Sequence, residues 1–242
     1  MNAKGGRDPY QARREAGRAS RTQTRQRLLA SADALFRVKG YAATPVTAIA
    51  VGAGVSLQTL YLAWGSKRAL LQAATEAAAS GSSTPLDADA WHEAVHQAVR
   101  RTVREEAAGA LAEQERASAY LRGLAAVFTA VAQRTADYWR INQDAAANDP
   151  ELAPSWQQLL RDRRSTMEAL ARRMPRAGLR PGLDLDAIVD TLWAVASPDS
   201  YVLLTRVGHA SEDDYTAWLA HVLVATLTTD APAGSPEKAQ HL

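Results

Sequence analysis

Residues 40–71 of this chain read GYAATPVTAIAVGAGVSLQTLYLAWGSKRALL. The turn-forming and capping residues in this stretch have the spacing that short helices joined by a tight turn require. Gly40 can end a preceding helix in the left-handed conformation, and Thr44, with the proline after it, can cap and open the next helix. Gly54 permits a sharp turn, after which Ser56 caps a third short helix. The stretch therefore predicts a helix-turn-helix.

The helix that begins at Ser56 is too short to fold alone, so it must be held by packing. Its solvent face is predicted to carry small, apolar or hydrogen-bonding groups suited to a DNA major groove. The side chains expected on this face are Leu57, Gln58, Thr59 and Tyr61, and the capping Ser56 is also expected at the DNA. Gln58 and Thr59 are expected to contact base edges, and Leu57 a thymine methyl group. The side chains expected to contact phosphates are Thr44, Thr47, Tyr61 and Lys67.

Four segments of this region follow a known signature nearly in register: Thr44–Ala50, Ala53–Ser56, Thr59–Tyr61 and Ser66–Leu71. The signature is the N-terminal one of the TetR family of transcriptional regulators, which the chain therefore resembles. Trp64 stands where the family usually has Phe, and Gln58 replaces the commoner Gly or Pro. Leu57 is apolar at a position that is often used for base contact. Strong resemblance covers about a fifth of the chain.

The resemblance implies an all-α fold. An N-terminal three-helix helix-turn-helix DNA-binding domain is followed by a larger helical ligand-binding and dimerisation domain. It also implies a homodimeric, ligand-responsive regulator, expected to be a repressor. From the residues themselves we expect a small lipophilic effector, no cofactor and no enzyme activity. Two copies of the helix beginning at Ser56 then enter successive major grooves about 34 to 36 Å apart on a pseudo-palindromic, double-stranded operator. The sequence names neither the effector nor the operator, and it leaves activation open.

Charge is distributed unevenly along the 242 residues. Residues 1–80 contain twelve Lys or Arg and four Asp or Glu, whereas the remaining residues carry a net charge of about −6. A basic N-terminal part joined to an acidic body is typical of a nucleic-acid reader, although a solvated basic arm is the alternative. The chain has no cysteine, which excludes disulfides and thiolate metal sites. No run approaches the length of a membrane span, so a cytoplasmic protein without a membrane partner is expected.

Composition and helical periodicity divide the chain into four parts. These are a basic mobile arm at 1–21, a DNA-binding domain at 22–68, a helical ligand-binding and dimerisation domain at 69–229, and a disordered tail at 230–242. The arginines of the arm, expected near phosphates or a minor groove, are Arg13, Arg14, Arg18 and Arg21.

The last two predicted helices run from Asp184 to about Arg206 and from Ser211 to Thr229. Pro198 is expected to kink or split the first of them. Both helices are apolar on more than one face, which favours a homodimer contact, with burial in the subunit core as the alternative. The residues concerned are Leu192, Val195, Tyr201, Trp218, Leu219, Val222 and Leu223.

Aromatic side chains are few, yet they cluster in the predicted middle helices. A cavity among them would accept a lipophilic small molecule, whereas plain core packing is the alternative for each residue. The residues predicted to line this cavity are Trp91, Tyr120, Phe128, Tyr138, Trp139, Asn142 and Trp156. Without such a cavity, a DNA-binding protein lacking small-molecule control becomes the better interpretation.

Residues 92–96 read HEAVH, a literal match to the zinc-protease motif H-E-x-x-H on a predicted helix. In such enzymes the two histidines bind zinc and the glutamate acts as general base, so a zinc hydrolase is a second hypothesis. A third ligand is required, and only Glu113 or Glu115 is near in the sequence. The same helix uses Trp91 and Val95 for packing, which leaves the histidines as flanking polar residues. We therefore assign no catalytic residue and no metal site, with an incidental or regulatory metal at His92 and His96 as the alternative.

Overall fold

The structure, a computed structural model, describes residues 9–81, 88–106, 111–113 and 115–229. Within these ranges the chain forms ten α-helices and no β-strand, which confirms the all-α fold. The helices are α1 (Pro9–Lys39), α2 (Val46–Gly52), α3 (Leu57–Trp64), α4 (Lys67–Ser80), α5 (Ala88–Glu106), α6 (Glu115–Asn148), α7 (Ala153–Arg173), α8 (Leu185–Val195), α9 (Pro198–Val202) and α10 (Glu212–Leu227). A π-helical turn, Leu203–Val207, continues directly from α9.

The first helix is longer than the sequence interpretation allowed. Residues 9–21, assigned above to a mobile arm, are the first half of α1. They are rich in Ala and Arg, which are good helix formers, although they lack an apolar face. All four arginines of this half, Arg13, Arg14, Arg18 and Arg21, are exposed. Residues 1–8 and the predicted tail at 230–242 lie outside the described residues.

Helices α1 to α4 form an N-terminal bundle around its own apolar core. Leu28, Ala32 and Phe36 of α1 are fully buried, as their helical spacing predicts. Ile49 of α2 and Leu60 of α3 close on the same core. Residues from later in the chain complete this core: Leu70, Leu71 and Ala74 of α4, and Tyr138, Ile141 and Ala145 of α6. The N-terminal core therefore extends past residue 68 and is joined to the body by α4 and α6.

The body is a larger bundle of α5 to α10 around a second core. Helix α6 runs through its centre, with Leu121, Leu124 and Phe128 buried against the helices around it. With 34 residues, α6 is about 50 Å long at 1.5 Å per residue, which is enough to contribute to both cores.

The end of the chain follows the predicted capping and breaking signals. Helix α8 stops at Val195, Ser197 caps a new helix, and Pro198 occupies its first position, so the predicted split is confirmed. Ser211 and Asp214 form a capping box at the start of α10, as their spacing predicts.

Among the described residues, no single helix has the length and apolar composition needed to cross a bilayer. Helices α2 and α3 meet that criterion only when they are taken together, as a pair bent by 99°.

Candidate nucleic-acid interface and cavity

Helices α2 and α3 are joined by the predicted tight turn. Gly54 has φ of 63°, a left-handed conformation that favours glycine, and its N–H donates to the carbonyl of Val51 at 2.9 Å. The N–H of Val55 returns to the carbonyl of Ala50 at 3.0 Å. The two helices diverge by 99°, within the range that helix-turn-helix motifs adopt.

The first turn of α3 is capped as predicted. The Ser56 hydroxyl accepts a hydrogen bond from the Thr59 N–H at 3.1 Å, and the two hydroxyl groups lie 2.8 Å apart. Leu60 is fully buried and anchors the helix to the N-terminal core. Gln58 and Tyr61 lie on the solvent side, with Tyr61 46% exposed. We call the outward side of α3 the reading face: Leu57, Gln58, Tyr61 and Leu62 are its exposed residues.

Two threonines differ from their predicted places. Thr44 is fully buried, and its hydroxyl donates to the carbonyl of Gly40 at 2.7 Å, so the predicted phosphate contact is wrong. The Thr44 hydroxyl thus stabilises the turn between α1 and α2. The N-cap residue of α2 is Pro45 rather than Thr44. Thr59 is half-buried, and its hydroxyl faces Ser56 rather than standing free. Thr47, by contrast, is exposed on the first turn of α2.

The N-terminus of α4 lies beside the turn that follows α1. Ser66 accepts a hydrogen bond from the Ala69 N–H at 3.1 Å and caps the helix. The Lys67 Nζ atom lies 4.1 Å from the centroid of the Tyr41 ring, a cation–π contact. Burial lowers the pKa of Lys67, an effect that the Asp149 carboxylate opposes. The Lys67 ammonium group is therefore held against the Tyr41 ring, and a phosphate would have to bind it there.

Two arginines that the sequence analysis missed lock α1 to the motif. Arg27 donates through Nη2 to the carbonyls of Ala53 and Gly54, and these hydrogen bonds hold the turn between α2 and α3 against α1. Arg25 donates to the carbonyl of Ala63 and stacks 3.8 Å from the Trp64 ring centroid. Two positions apart on a helix, they do not share a face, and their partner carbonyls are set by tertiary packing, so no signal in the sequence points to these contacts. The two contacts fix how α3 projects from the bundle.

The body contains a cavity of about 340 Å³ between α4, α5, α6 and α7. Its volume falls in the range of small-molecule sites. Trp91, Phe128 and Trp139 line it, as predicted. The other apolar lining residues include Val95, Val131, Ala132, Leu159, Met167 and Pro198. The wall is therefore mainly apolar and aromatic.

Four residues predicted for this cavity lie elsewhere. Tyr120 is buried against α7, where its hydroxyl donates to the Leu170 carbonyl at 3.4 Å. Tyr138 belongs to the N-terminal core. Asn142 donates to the hydroxyl of Thr75 at 2.9 Å and does not itself line the cavity, although Thr75 does. Trp156 lies behind the wall, with its ring 4.6 Å from that of Trp139. The sequence groups all four because they cluster in the predicted middle helices. Tyr120, Tyr138 and Asn142 are on α6, whose faces contact different neighbours, and Trp156 is on α7.

Polar groups interrupt the cavity wall at a few points. His92 lines it, and its Nε2 atom lies 3.2 Å from the Thr166 hydroxyl. Arg163 of α7 also lines it, and its guanidinium donates to the carbonyls of Trp193 at 2.8 Å and Ala196 at 2.9 Å. Burial lowers the pKa of Arg163 to about 10, which leaves the side chain charged at neutral pH. The sequence analysis did not identify Arg163, because its place depends on how α7 packs against α8.

The H-E-x-x-H residues are engaged with other partners. Glu93 forms an ion pair with Arg173 at 3.1 Å, and a hydrogen bond from Gln97 lowers its pKa. Burial lowers the pKa of His96, whose Nδ1 atom lies 3.5 Å from the Tyr120 hydroxyl. Within the part of the chain that the structure describes, no three His, Asp or Glu side chains form a group that could hold a metal ion. The hydrolase hypothesis therefore gains no support from these residues.

The predicted dimer residues divide into two groups. Buried in the subunit core are Leu192, Tyr201, Leu219 and Leu223. Partly exposed are Val195, Trp218 and Val222. The alternative of core burial thus holds for the first group, whereas the second group still presents apolar surface on α8 and α10.

Known proteins resemble both the N-terminal bundle and the body of this chain. Residues 28–74 match the family described as bacterial regulatory proteins, tetR family. No curated protein sequence matches the chain significantly.

Solved structures of similar fold cover most of the chain. SmeT in complex with triclosan is 21% identical, with 90% of this chain and 99% of that chain covered and a TM-score of 0.60. SmeT is the repressor of the Stenotrophomonas maltophilia multidrug efflux pump SmeDEF. A TetR transcriptional regulator from Chloroflexus aurantiacus J-10-fl is 21% identical, with 87% and 98% covered and a TM-score of 0.55.

NalD, the secondary repressor of the MexAB-OprM multidrug efflux pump in Pseudomonas aeruginosa, is 18% identical. The comparison covers 87% of this chain and 100% of NalD, with a TM-score of 0.55. At these identities the likeness establishes the fold of the body.

Proposed function

Because this chain belongs to the TetR family of DNA-binding transcriptional regulators, we propose that it is a homodimeric repressor controlled by a small lipophilic effector. The observation that carries the proposal is the reading face of α3. Leu60 anchors the helix in the N-terminal core, Arg25 fixes its C-terminal end, and Gln58 and Tyr61 project away from the protein. A helix that is packed on one side and presents both hydrogen-bonding and apolar side chains on the other fits a major groove.

The residues of the reading face take different roles in this proposal. Gln58 reads a base edge, since an amide can donate and accept in one plane with adenine. Leu57 contacts a thymine methyl group. Tyr61 and Thr47 bind phosphates, which fixes the register of the helix without selecting a sequence. Thr59 stays with Ser56 and shapes the first turn.

The first half of α1 extends the DNA contact. Arg13, Arg14, Arg18 and Arg21 are exposed on a helix that leads into the N-terminal bundle. A basic helix of this kind contacts phosphates and makes binding depend on salt. It adds affinity for DNA of any sequence.

Dimerisation uses the partly exposed apolar residues of α8 and α10. Trp218 and Val222 lie on α10, and Val195 ends α8. Two copies related by a two-fold axis place their α3 helices about 34 to 36 Å apart, so the operator is a pseudo-palindrome.

The cavity supplies a route from effector to DNA. Thr75, Glu76 and Ala79 of α4 line it, while Leu70 and Leu71 at the other end of α4 belong to the N-terminal core. An effector that binds more tightly to a conformation with α4 shifted favours that conformation, and the shift of α4 moves the reading face. An effector with equal affinity for both positions of α4 would change nothing. The existence of the cavity favours effector control over a DNA-binding protein without it. Such a regulator acts in the cytoplasm, where bacterial DNA lies.

Selection of bound fragments from random double-stranded DNA tests the proposal. Wild-type protein is expected to enrich an inverted repeat with half-site centres about 10 base pairs apart. Analytical ultracentrifugation of the selected complex is expected to give a protein dimer on each site. Enrichment without a repeat, or a single subunit on each site, would contradict the proposed dimeric binding.

A further inference from the structure

We propose that the cavity selects effectors that carry an anionic group, and that Arg163 binds this group. The inference rests on the proposed function of the cavity as the effector site, and it adds the chemical class of the effector.

Arg163 presents a positive charge to the cavity that no carboxylate pairs with. Among the described residues no Asp or Glu oxygen lies within 4.0 Å of its guanidinium, whose hydrogen bonds go to the neutral carbonyls of Trp193 and Ala196. Asp199 lies farther away, and its Oδ2 atom accepts hydrogen bonds from Trp139 and Ser197. A guanidinium has five N–H donors, so donors remain for a ligand.

The surroundings of Arg163 strengthen any charge interaction with a ligand. Its Cζ atom lies 5.7 Å from the ring centroid of Trp139, and the cavity wall continues through Trp91 and Phe128. A lipophilic body filling this space expels water, and removal of water lowers the local dielectric constant. A largely buried cation with no ion pair is costly even though the charge of Asp199 acts on it from a distance, and an anionic ligand offsets that cost.

The acidic residues of the wall do not compete for this role. Glu76 and Asp162 line the cavity but are exposed, and each accepts a hydrogen bond from an amide on its own helix. Their charge is therefore screened by water more strongly than that of Arg163, which is less exposed. His92 is held by Thr166. The buried wall thus favours an anion.

A pair of fluorescent probes that differ by one charged group tests the inference. Anilinonaphthalene sulfonate carries a sulfonate, and phenylnaphthylamine is the same skeleton without it. We expect the wild-type protein to bind the sulfonate at least about tenfold more tightly, the range of a hydrogen bond to a charged group. Equal affinity, or tighter binding of the neutral probe, would overturn the inference without the need for any variant.

Matched substitutions on α7 locate the effect. Arg163→Gln keeps donors for the two carbonyls but removes the charge, and we expect it to abolish the preference for the sulfonate. Arg164→Gln is the control, because the Arg164 side chain is 43% exposed and pairs with Asp190. The control is expected to keep the wild-type preference. Retention of the preference in a folded Arg163→Gln protein, checked by its melting temperature, would overturn the assignment to Arg163.

Operator affinity measured in the same titrations separates this inference from the proposed function. If both probes bind equally and both release operator, effector control stands and the anionic class is wrong. If the sulfonate binds preferentially through Arg163 but leaves operator affinity unchanged, the anionic site stands and effector control is wrong. If neither probe binds, both proposals fail.

Discussion

Arg37 of α1 donates a hydrogen bond from Nη1 to Oδ2 of Asp137 on α6, at a distance of 2.8 Å. Arg206, in the π-helical turn after α9, binds the other oxygen of Asp137 at 2.7 Å. Next to this pair, the Tyr138 hydroxyl donates to Asp33 at 2.5 Å. Asp137 of α6 therefore links α1 of the N-terminal bundle to the π-helical turn of the body. That turn continues from α9, whose first residue, Pro198, lines the cavity.

Replacing Asp137 with Asn is expected to lower the free energy of unfolding by about 1 kcal/mol, because two ion pairs are broken at a partly exposed site. Urea denaturation at pH 7 measures this change. Asp190→Asn is the control, since it breaks a single, more exposed pair with Arg164. The control is expected to change stability by less than about 0.5 kcal/mol. Equal losses in the two variants would contradict a special role for Asp137.

The contribution of Asp137 is expected to depend on pH. Burial opposes its ionisation, but hydrogen bonds and charges from Arg206 and Arg37 prevail and lower its pKa in the folded protein. A depressed pKa stabilises the fold above the unfolded value of about 3.9, and the stabilisation is lost as the pH falls through the folded value. The difference in unfolding free energy between wild type and Asp137→Asn should therefore close below about pH 4. A difference that stays constant down to about pH 2.5 would show that the ion pairs do not cause it.

Gln58→Ala and Tyr61→Ala are expected to affect DNA binding in different ways. Loss of Gln58 removes a base contact, so it should relax preference at one operator position and cost about 1–3 kcal/mol there. Loss of Tyr61 removes a phosphate contact and should weaken binding to all sequences alike. Mobility shifts against a set of single-position operator variants measure both effects. The opposite pattern would exchange the two roles.

Sequence signals were sufficient where a local rule sets the structure. Ser56 caps α3, Gly54 adopts positive φ in the turn, and Pro198 starts a new helix, each as its residue type requires. Thr44 shows the limit. Its capping chemistry suggested an exposed group at a helix start, yet packing of α1 buries it completely. A capping residue next to a bundle core cannot be placed from the local sequence alone.

The cavity was only partly predictable for a related reason. The apolar stripe on α6 is continuous in the sequence, but the helix passes from the body core to the N-terminal core. Phe128 and Trp139 are eleven residues apart on the same face of α6 and line the cavity, whereas Tyr138 is on another face and is buried in the N-terminal core. Arg163 reads as a surface residue of an amphipathic helix, and only its hydrogen bonds to the end of α8 place it in the cavity wall.

Removal of the charge from the first half of α1 is expected to change the salt dependence of DNA binding. A variant with Arg13, Arg14, Arg18 and Arg21 all replaced by Gln should retain the helix but neutralise fewer phosphates. The slope of log affinity against log salt concentration should become shallower by about 0.9 for each phosphate that is no longer neutralised. Arg100→Gln with Arg101→Gln, two exposed positions on α5, is the control and should leave the slope unchanged. An unchanged slope in the fourfold variant would place α1 away from the DNA.

The most direct test of the account uses the absence of cysteine from the chain. A Leu62→Cys protein carries a single thiol, to which a DNA-cleaving iron chelate can be attached at an exposed residue of the reading face of α3 that has no proposed DNA contact. Bound to its selected operator, the labelled dimer is expected to cut at two places about 10 base pairs apart, symmetrically about the centre of the repeat. The same label on Ala217→Cys, an exposed position on α10, should not cut. Cutting from position 217 but none from position 62 would contradict the claim that paired α3 helices read the DNA.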